Sequence, residues 1–152
     1  MSSISFSISG KIVYDPFRAQ MKKRTEWWAV IEVDKEITRY CRHLVEKEYG
    51  VRLLPPAWDA HVSIIRGESI AKQNQSLWKK YHGQSVDLKI TLDLSRAKRE
   101  CGKHFWFVDV ECQRALDIRA ELGRPSNWPP HLTIGREPYD HYIQHHELHI
   151  NL

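Results

Sequence analysis

Apolar and polar residues alternate along much of this chain, and a period of two predicts strands. Ile4, Phe6 and Ile8 alternate with serines, Lys11-Ile12-Val13-Tyr14 follows and Asp15-Pro16 closes the run, so a half-buried strand is expected there. Trp27-Trp28-Ala29-Val30-Ile31-Glu32-Val33 reads as a second strand. The spacing then becomes helical over 35–49, where Ile37, Cys41, Leu44 and Val45 share a face, Asp34 stands at the N-cap position and Gly50 at the end. A proline-bearing connection, 51–58, delivers the chain into Ala60-His61-Val62-Ser63-Ile64-Ile65-Arg66-Gly67, a third strand. A polar segment runs on to Gly83, with a short helix expected around 75–81. Residues 86–94 alternate most cleanly, and 103–110 is their expected antiparallel partner across a charged loop at 95–102. Residues 114–122 are helical by pattern, stopped by Gly123. A second proline-bearing connection leads to Pro130-His131-Leu132-Thr133-Ile134-Gly135-Arg136, and the tail ends in alternating Leu148, Ile150 and Leu152.

The order repeats. Strand, helix, proline-bearing connection and histidine strand occur once in each half, with Pro55-Pro56 ahead of the first histidine and Pro129-Pro130 ahead of the second. The expected architecture is α+β, one domain over 1–152. It has two lobes of antiparallel strands, roughly 1–84 and 85–152, related by a pseudo-twofold, with helices outside and a central cleft.

The two histidine strands carry the chemistry. Alternation puts His61 with Ser63, and His131 with Thr133, opposite the apolar pairs Val62/Ile64 and Leu132/Ile134. Two imidazoles and two hydroxyls brought together suit phosphodiester cleavage. One neutral and one protonated imidazole share the roles of base and acid, and the hydroxyls donate to the phosphate oxygens. No metal or other cofactor is needed, and either a substrate 2′-OH or a water can be the nucleophile. A lone His-x-Ser on a strand is commonplace; it is the pair of copies that signals a site.

Composition narrows the setting. A chain of 152 residues with 41% hydrophobic and 28% charged residues has enough material for a core and is not of disordered type. The net charge of +4 favours an anionic partner. Cys41, Cys101 and Cys112 form no CxxC pair and read as reduced thiols of a cytoplasmic protein. The start lacks the basic and apolar regions of a signal peptide, and no apolar run is long enough for a membrane span.

The two hydrophobic–His–x–Ser/Thr–hydrophobic motifs resemble those of the 2H phosphoesterase superfamily, and the resemblance extends to the two-lobed layout of most of the chain. It implies a metal-independent phosphodiesterase with His61 and His131 as acid and base and Ser63 and Thr133 on the phosphate; serine in the first motif is the less common variant. The superfamily includes RNA 2′,3′-cyclic phosphodiesterases, RNA-ligase-like proteins and small tailed-phage enzymes that degrade the cyclic nucleotide messengers of bacterial CBASS immunity. Compact size and abundant tryptophan make this chain look most like the phage group. The implied substrate is a cyclic di- or trinucleotide, met in the host cytoplasm, and neither a membrane nor duplex nucleic acid is an expected partner. Cleavage of 2′,3′-cyclic or 2′–5′ linkages in RNA is the first alternative, and a nucleotide- or RNA-binding module without turnover is the second.

Further residues enter as substrate contacts. Tyr14 and Trp128 offer stacking surfaces for bases, whereas Trp106, inside an apolar strand, is expected in the core. Arg66 and Arg136 are phosphate contacts only if the chain bends near Gly67 or Gly135, because strict alternation turns them from the histidine face. His141, His145, His146 and His149 invite a zinc reading, but no HExxH motif or cysteine pair accompanies them, so no metal site is assigned. Glu147 among them is assigned to a substrate base or to orienting a histidine. Met21-Lys22-Lys23-Arg24, Lys79-Lys80 and Lys98-Arg99 read as exposed loop charges.

Overall fold

A computed structural model describes residues 4–17, 25–99, 102–126 and 129–138. Among them run β1 (Ser5–Tyr14), β2 (Trp28–Glu32), α1 (Lys35–Tyr49), β3 (His61–Arg66), a 3₁₀ turn (Lys72–Leu77), β4 (Ser85–Lys98), β5 (His104–Glu111), α2 (Gln113–Glu121) and β6 (His131–Arg136). The strands are antiparallel neighbours in the order β1-β2-β3-β6-β5-β4 and close into a six-stranded barrel. The protein is thus α+β and dominated by antiparallel strands. The two histidine strands do not face each other across a gap between sheets. They are side by side, joined at Val62 and Leu132.

Local chemistry explains most boundaries. The Asp34 carboxylate accepts from the Glu36 amide at 2.9 Å, starting α1 at its expected place, and Gly50 ends it at φ +67°, where a Cβ would be strained. α1 buries Thr38, Cys41 and Val45; α2 buries Ala115, Ile118 and Arg119, and Leu122 just after it is buried too. The helices pack crosswise, α1 against β6 and α2 against β3. Ile12, Ile31, Val62, Ile64, Ile65, Ile90, Leu132 and Ile134 form the centre of the core, all fully enclosed.

Two elements differ from expectation. The short helix is a 3₁₀ turn that begins earlier, at Lys72. β4 continues to Lys98, through residues that read as loop. Its end is drawn onto the sheet by Glu137, a buried carboxylate that accepts from Arg96 Nε at 2.8 Å, Arg96 Nη2 at 3.1 Å and Trp106 Nε1 at 2.8 Å. That partner lies 41 residues away, so local alternation around Arg96 could not reveal it.

The two histidine strands meet their neighbours in matching registers. Glu32, Ile31 and Val30 on β2 lie opposite His61, Val62 and Ser63, and then Ala29 lies opposite Ile65. Asp109, Val108 and Phe107 on β5 lie opposite His131, Leu132 and Thr133, and then Trp106 lies opposite Gly135. Ile64 and Ile134 are each the extra residue of a β-bulge. The burial sequence is the same in both strands: half-buried, buried, half-buried, buried, buried, exposed. Across the barrel, β1 and β4 pair with Ile8 opposite Leu88.

Candidate active site

The bulge decides which side chains share a face. Before it, His61 and Ser63 alternate with Val62; after it Ile64 and Ile65 are both buried, so Arg66 emerges on the side of His61 and Ser63. Continuing the Val62–Leu132 register sets His61 level with Thr133 and Ser63 level with His131. In such a ladder, level residues have Cβ atoms about 4.5–5.5 Å apart and diagonal neighbours about 7–8 Å, so the imidazoles occupy opposite corners and the hydroxyls the other two. A cavity of about 370 Å³ lies over this square, lined by His61, Ser63, Ile64, Arg66, Glu68, His131 and Thr133.

Each imidazole is held through its approach loop. His61 Nδ1 lies 2.6 Å from the Trp58 carbonyl, which can only accept. The proton on that nitrogen leaves Nε2 for exchange. Ala60, buried with φ +60°, makes the turn into the strand, and its carbonyl accepts from the Val33 amide at 3.0 Å. His131 is bonded to the backbone of Pro129, whose carbonyl is the only group it has for this. Burial lowers the His131 pKa and the Arg66 cation lowers it further, against Asp109 and the Pro129 contact, which raise it. The net direction is downward, favouring neutral imidazole.

Aromatic edges flank both rings. Trp28 meets His61 edge-on at 5.7 Å and Phe107 meets His131 at 5.4 Å. Trp28 Nε1 also donates to Ser63 Oγ at 3.2 Å; because the indole can only donate, the serine keeps its own hydrogen for another acceptor. The Arg66 guanidinium lies over the Trp28 ring, 5.2 Å from its centroid, and stays cationic although burial and Arg99 lower its pKa. Glu68 is no free carboxylate: Arg119 Nη1 and Nη2 reach its two oxygens at 2.6 and 2.8 Å and Arg124 Nε lies 3.3 Å away, holding its pKa low.

Of the residues expected at the site, His61, Ser63, His131, Thr133 and Arg66 come together. Arg136 does not: its Nε donates to the Pro55 carbonyl at 3.1 Å, beside the Leu54–Arg136 bridge. Tyr14 is placed in the core, its ring edge-on to Trp78 at 4.9 Å, and burial pushes its phenol up to about 12. Trp106 is in the core as expected. Trp128 and Glu147 lie outside the described residues, as do Cys101, Met21 to Arg24, His141, His145, His146, His149 and the alternating tail.

Local alternation does not reveal Trp28 and Phe107, which sheet register brings beside Arg66 and Thr133, or Glu68, which follows β3 and is held by Arg119 from α2. Among the described residues no group of three His, Cys, Asp or Glu side chains converges to hold a metal, Cys41 and Cys112 are free and buried, and no helix is long and apolar enough to cross a membrane. A larger depression, about 560 Å³, lies near Asp87, Glu111 and Pro130 but carries no paired imidazoles. No protein-family model, curated protein or solved structure matches the chain.

Proposed function

We propose that this chain is a phosphodiesterase that works by acid–base catalysis between His61 and His131, at the junction of two pseudo-twofold-related lobes. The observation that carries the reading is the adjacency of β3 and β6, which puts both His–hydroxyl pairs on one face under one cavity. The lobe relation draws support from the matching registers and bulges, and from the pairing of corresponding residues at Val62–Leu132 and Ile8–Leu88, as an antiparallel twofold requires.

In this reading neutral His131 takes the proton from the attacking hydroxyl, a ribose 2′-OH or a water. The new P–O bond forms as the opposite P–O bond breaks, and His61 gives its Nε2 proton to the departing oxygen. Ser63, with its hydrogen free of Trp28, donates to a non-bridging oxygen together with Thr133, while Arg66 balances the developing charge. No step in this scheme calls on a metal or cofactor. The preferred substrate is a cyclic di- or trinucleotide messenger of host immunity, met in the cytoplasm; the polyanion suits the +4 chain and Arg66.

The test is a cleavage screen over cyclic mono-, di- and trinucleotides and RNA bearing a 2′,3′-cyclic end, with products weighed by mass spectrometry. Cleavage of a cyclic oligonucleotide, undiminished by EDTA and abolished in folded His61→Ala and His131→Ala, is expected. Cleavage of the RNA end alone would move the assignment to RNA processing. Binding without any product would make the chain a nucleotide-binding module. Full activity in either alanine variant would overturn the chemistry.

A further inference from the structure

A bulge leaves the carbonyl of its extra residue outside the strand ladder, and a buried carbonyl needs a donor. Both histidine-strand bulges receive one from an arginine on a helix. Arg119 Nη1, on α2, donates to the Ile64 carbonyl at 2.9 Å. Arg42 Nη1, on α1, donates to the Ile134 carbonyl at 2.8 Å. Each helix belongs to the half of the chain that does not contain the strand it supports.

The surroundings fix both guanidinium groups. Arg119 is 3% exposed; its Nε donates to the Pro125 carbonyl at 2.8 Å, and its fork grips Glu68 on the cavity wall. One side chain therefore ties together the bulge, the segment after β3 and the loop approaching the second histidine. Arg42 lies 3.5 Å from Asp59 in the approach to His61, and its stem runs over Gly135, where a Cβ would sit 3.1 Å from Arg42 Cγ and Cδ.

Resting on the proposed function, we infer that Arg119 and Arg42 are positioning residues that act crosswise. Each holds the bulge in the other half's histidine strand, and Arg119 thereby keeps Arg66 on the catalytic face. Without the bulge, simple alternation returns Arg66 to the opposite face. The charges that shift His131 are Asp109 on β5 and Arg66 on β3, and the His61 imidazole on β3 shares its cavity. Loss of the Arg66 charge from that face raises the His131 pKa, a consequence a purely structural arginine would not have.

The experiment compares wild type, Arg119→Met, Arg119→Lys, Arg42→Met and the core truncation Val86→Ala. Lysine keeps the charge beside Glu68 but cannot span both the carboxylate and the Ile64 carbonyl, so it serves if the methionine variant fails to fold. The readouts are His131 imidazole titration by NMR, the pH profile of kcat/KM and thermal stability. The Arg119 variants should move the His131 midpoint upward and lower kcat/KM by about 100-fold, the scale of a misplaced catalytic constellation. Arg42→Met should lower kcat/KM with the His131 midpoint unchanged, because Arg136 is not at the cavity. A wild-type His131 titration in folded Arg119 variants, with an activity loss no larger than that of equally destabilised Val86→Ala, would overturn the inference. If wild type cleaves no substrate, the proposed function falls, and the titration alone still decides whether Arg119 holds Arg66 against His131.

Discussion

β3 and β6 share a pairing register, a bulge position and a burial sequence but differ in their surroundings. Both carry a histidine, a hydroxyl two residues on and a bulge at the next isoleucine, whose carbonyl is held by a helix arginine. Around β3 the indole of Trp28 touches both His61 and Ser63, and Arg66 reaches the cavity. Around β6 Phe107 supplies an edge to His131 but no hydrogen bond donor from its ring, and Arg136 turns away to Pro55. A shared register brings equivalent groups together, and unequal neighbours then let the two imidazoles differ. At His131, burial and the nearby Arg66 cation lower the pKa.

The largest expected effect breaks the pair outright. His61→Ala and His131→Ala should each lower kcat/KM by about 10²–10⁴-fold. A His131 pKa below the ordinary histidine value also predicts that the acid limb of the wild-type pH–rate profile lies below about 6.5, and that Arg66→Ala moves it upward. Stability follows the same sign. As pH falls the unfolded chain takes up this proton first, so the contribution of His131 is complete above the unfolded value and is lost as pH drops through the folded one.

The position after each bulge gives the next contrast. Ile65 is fully buried, and Ile65→Ala should cost about 2–5 kcal/mol in denaturant unfolding. At the equivalent Gly135 an added Cβ would stand 3.0 Å from Leu53 Cβ and 3.1 Å from the Arg42 stem, so Gly135→Ala should cost about 1–3 kcal/mol by overpacking. One side needs bulk where the other needs space, and a neutral Gly135→Ala would remove that distinction.

The smallest effect sharpens the aromatic difference. Trp28→Phe keeps an edge against His61 but removes the donor to Ser63, worth about 0.5–1.5 kcal/mol and therefore a few-fold to about tenfold in kcat. Phe107→Tyr, which keeps the ring edge, should change kcat less. Equal losses in both variants would show that ring packing, rather than the indole hydrogen bond, matters at β3.

The sequence by itself determined the strands around both histidines, the span and caps of α1, and the pairing of His61 with Ser63 and of His131 with Thr133. Those features depend on period-two alternation and on Asp34 and Gly50, which act within a few residues. The closed barrel and the adjacency of β3 and β6 depended on contacts between residues some 70 positions apart. The face of Arg66 could not be read from alternation either. It turns on a bulge opposite Ala29 and Val30 and on a guanidinium from α2. Tyr14 reads as a stacking surface because an aromatic at a strand end looks alike in sequence whether its neighbours are solvent or Trp78 and His82. Alternation assigns a residue to one of two faces; only the packed barrel decides what each face meets, because burial and bulge pairing belong to the neighbouring strands and helices.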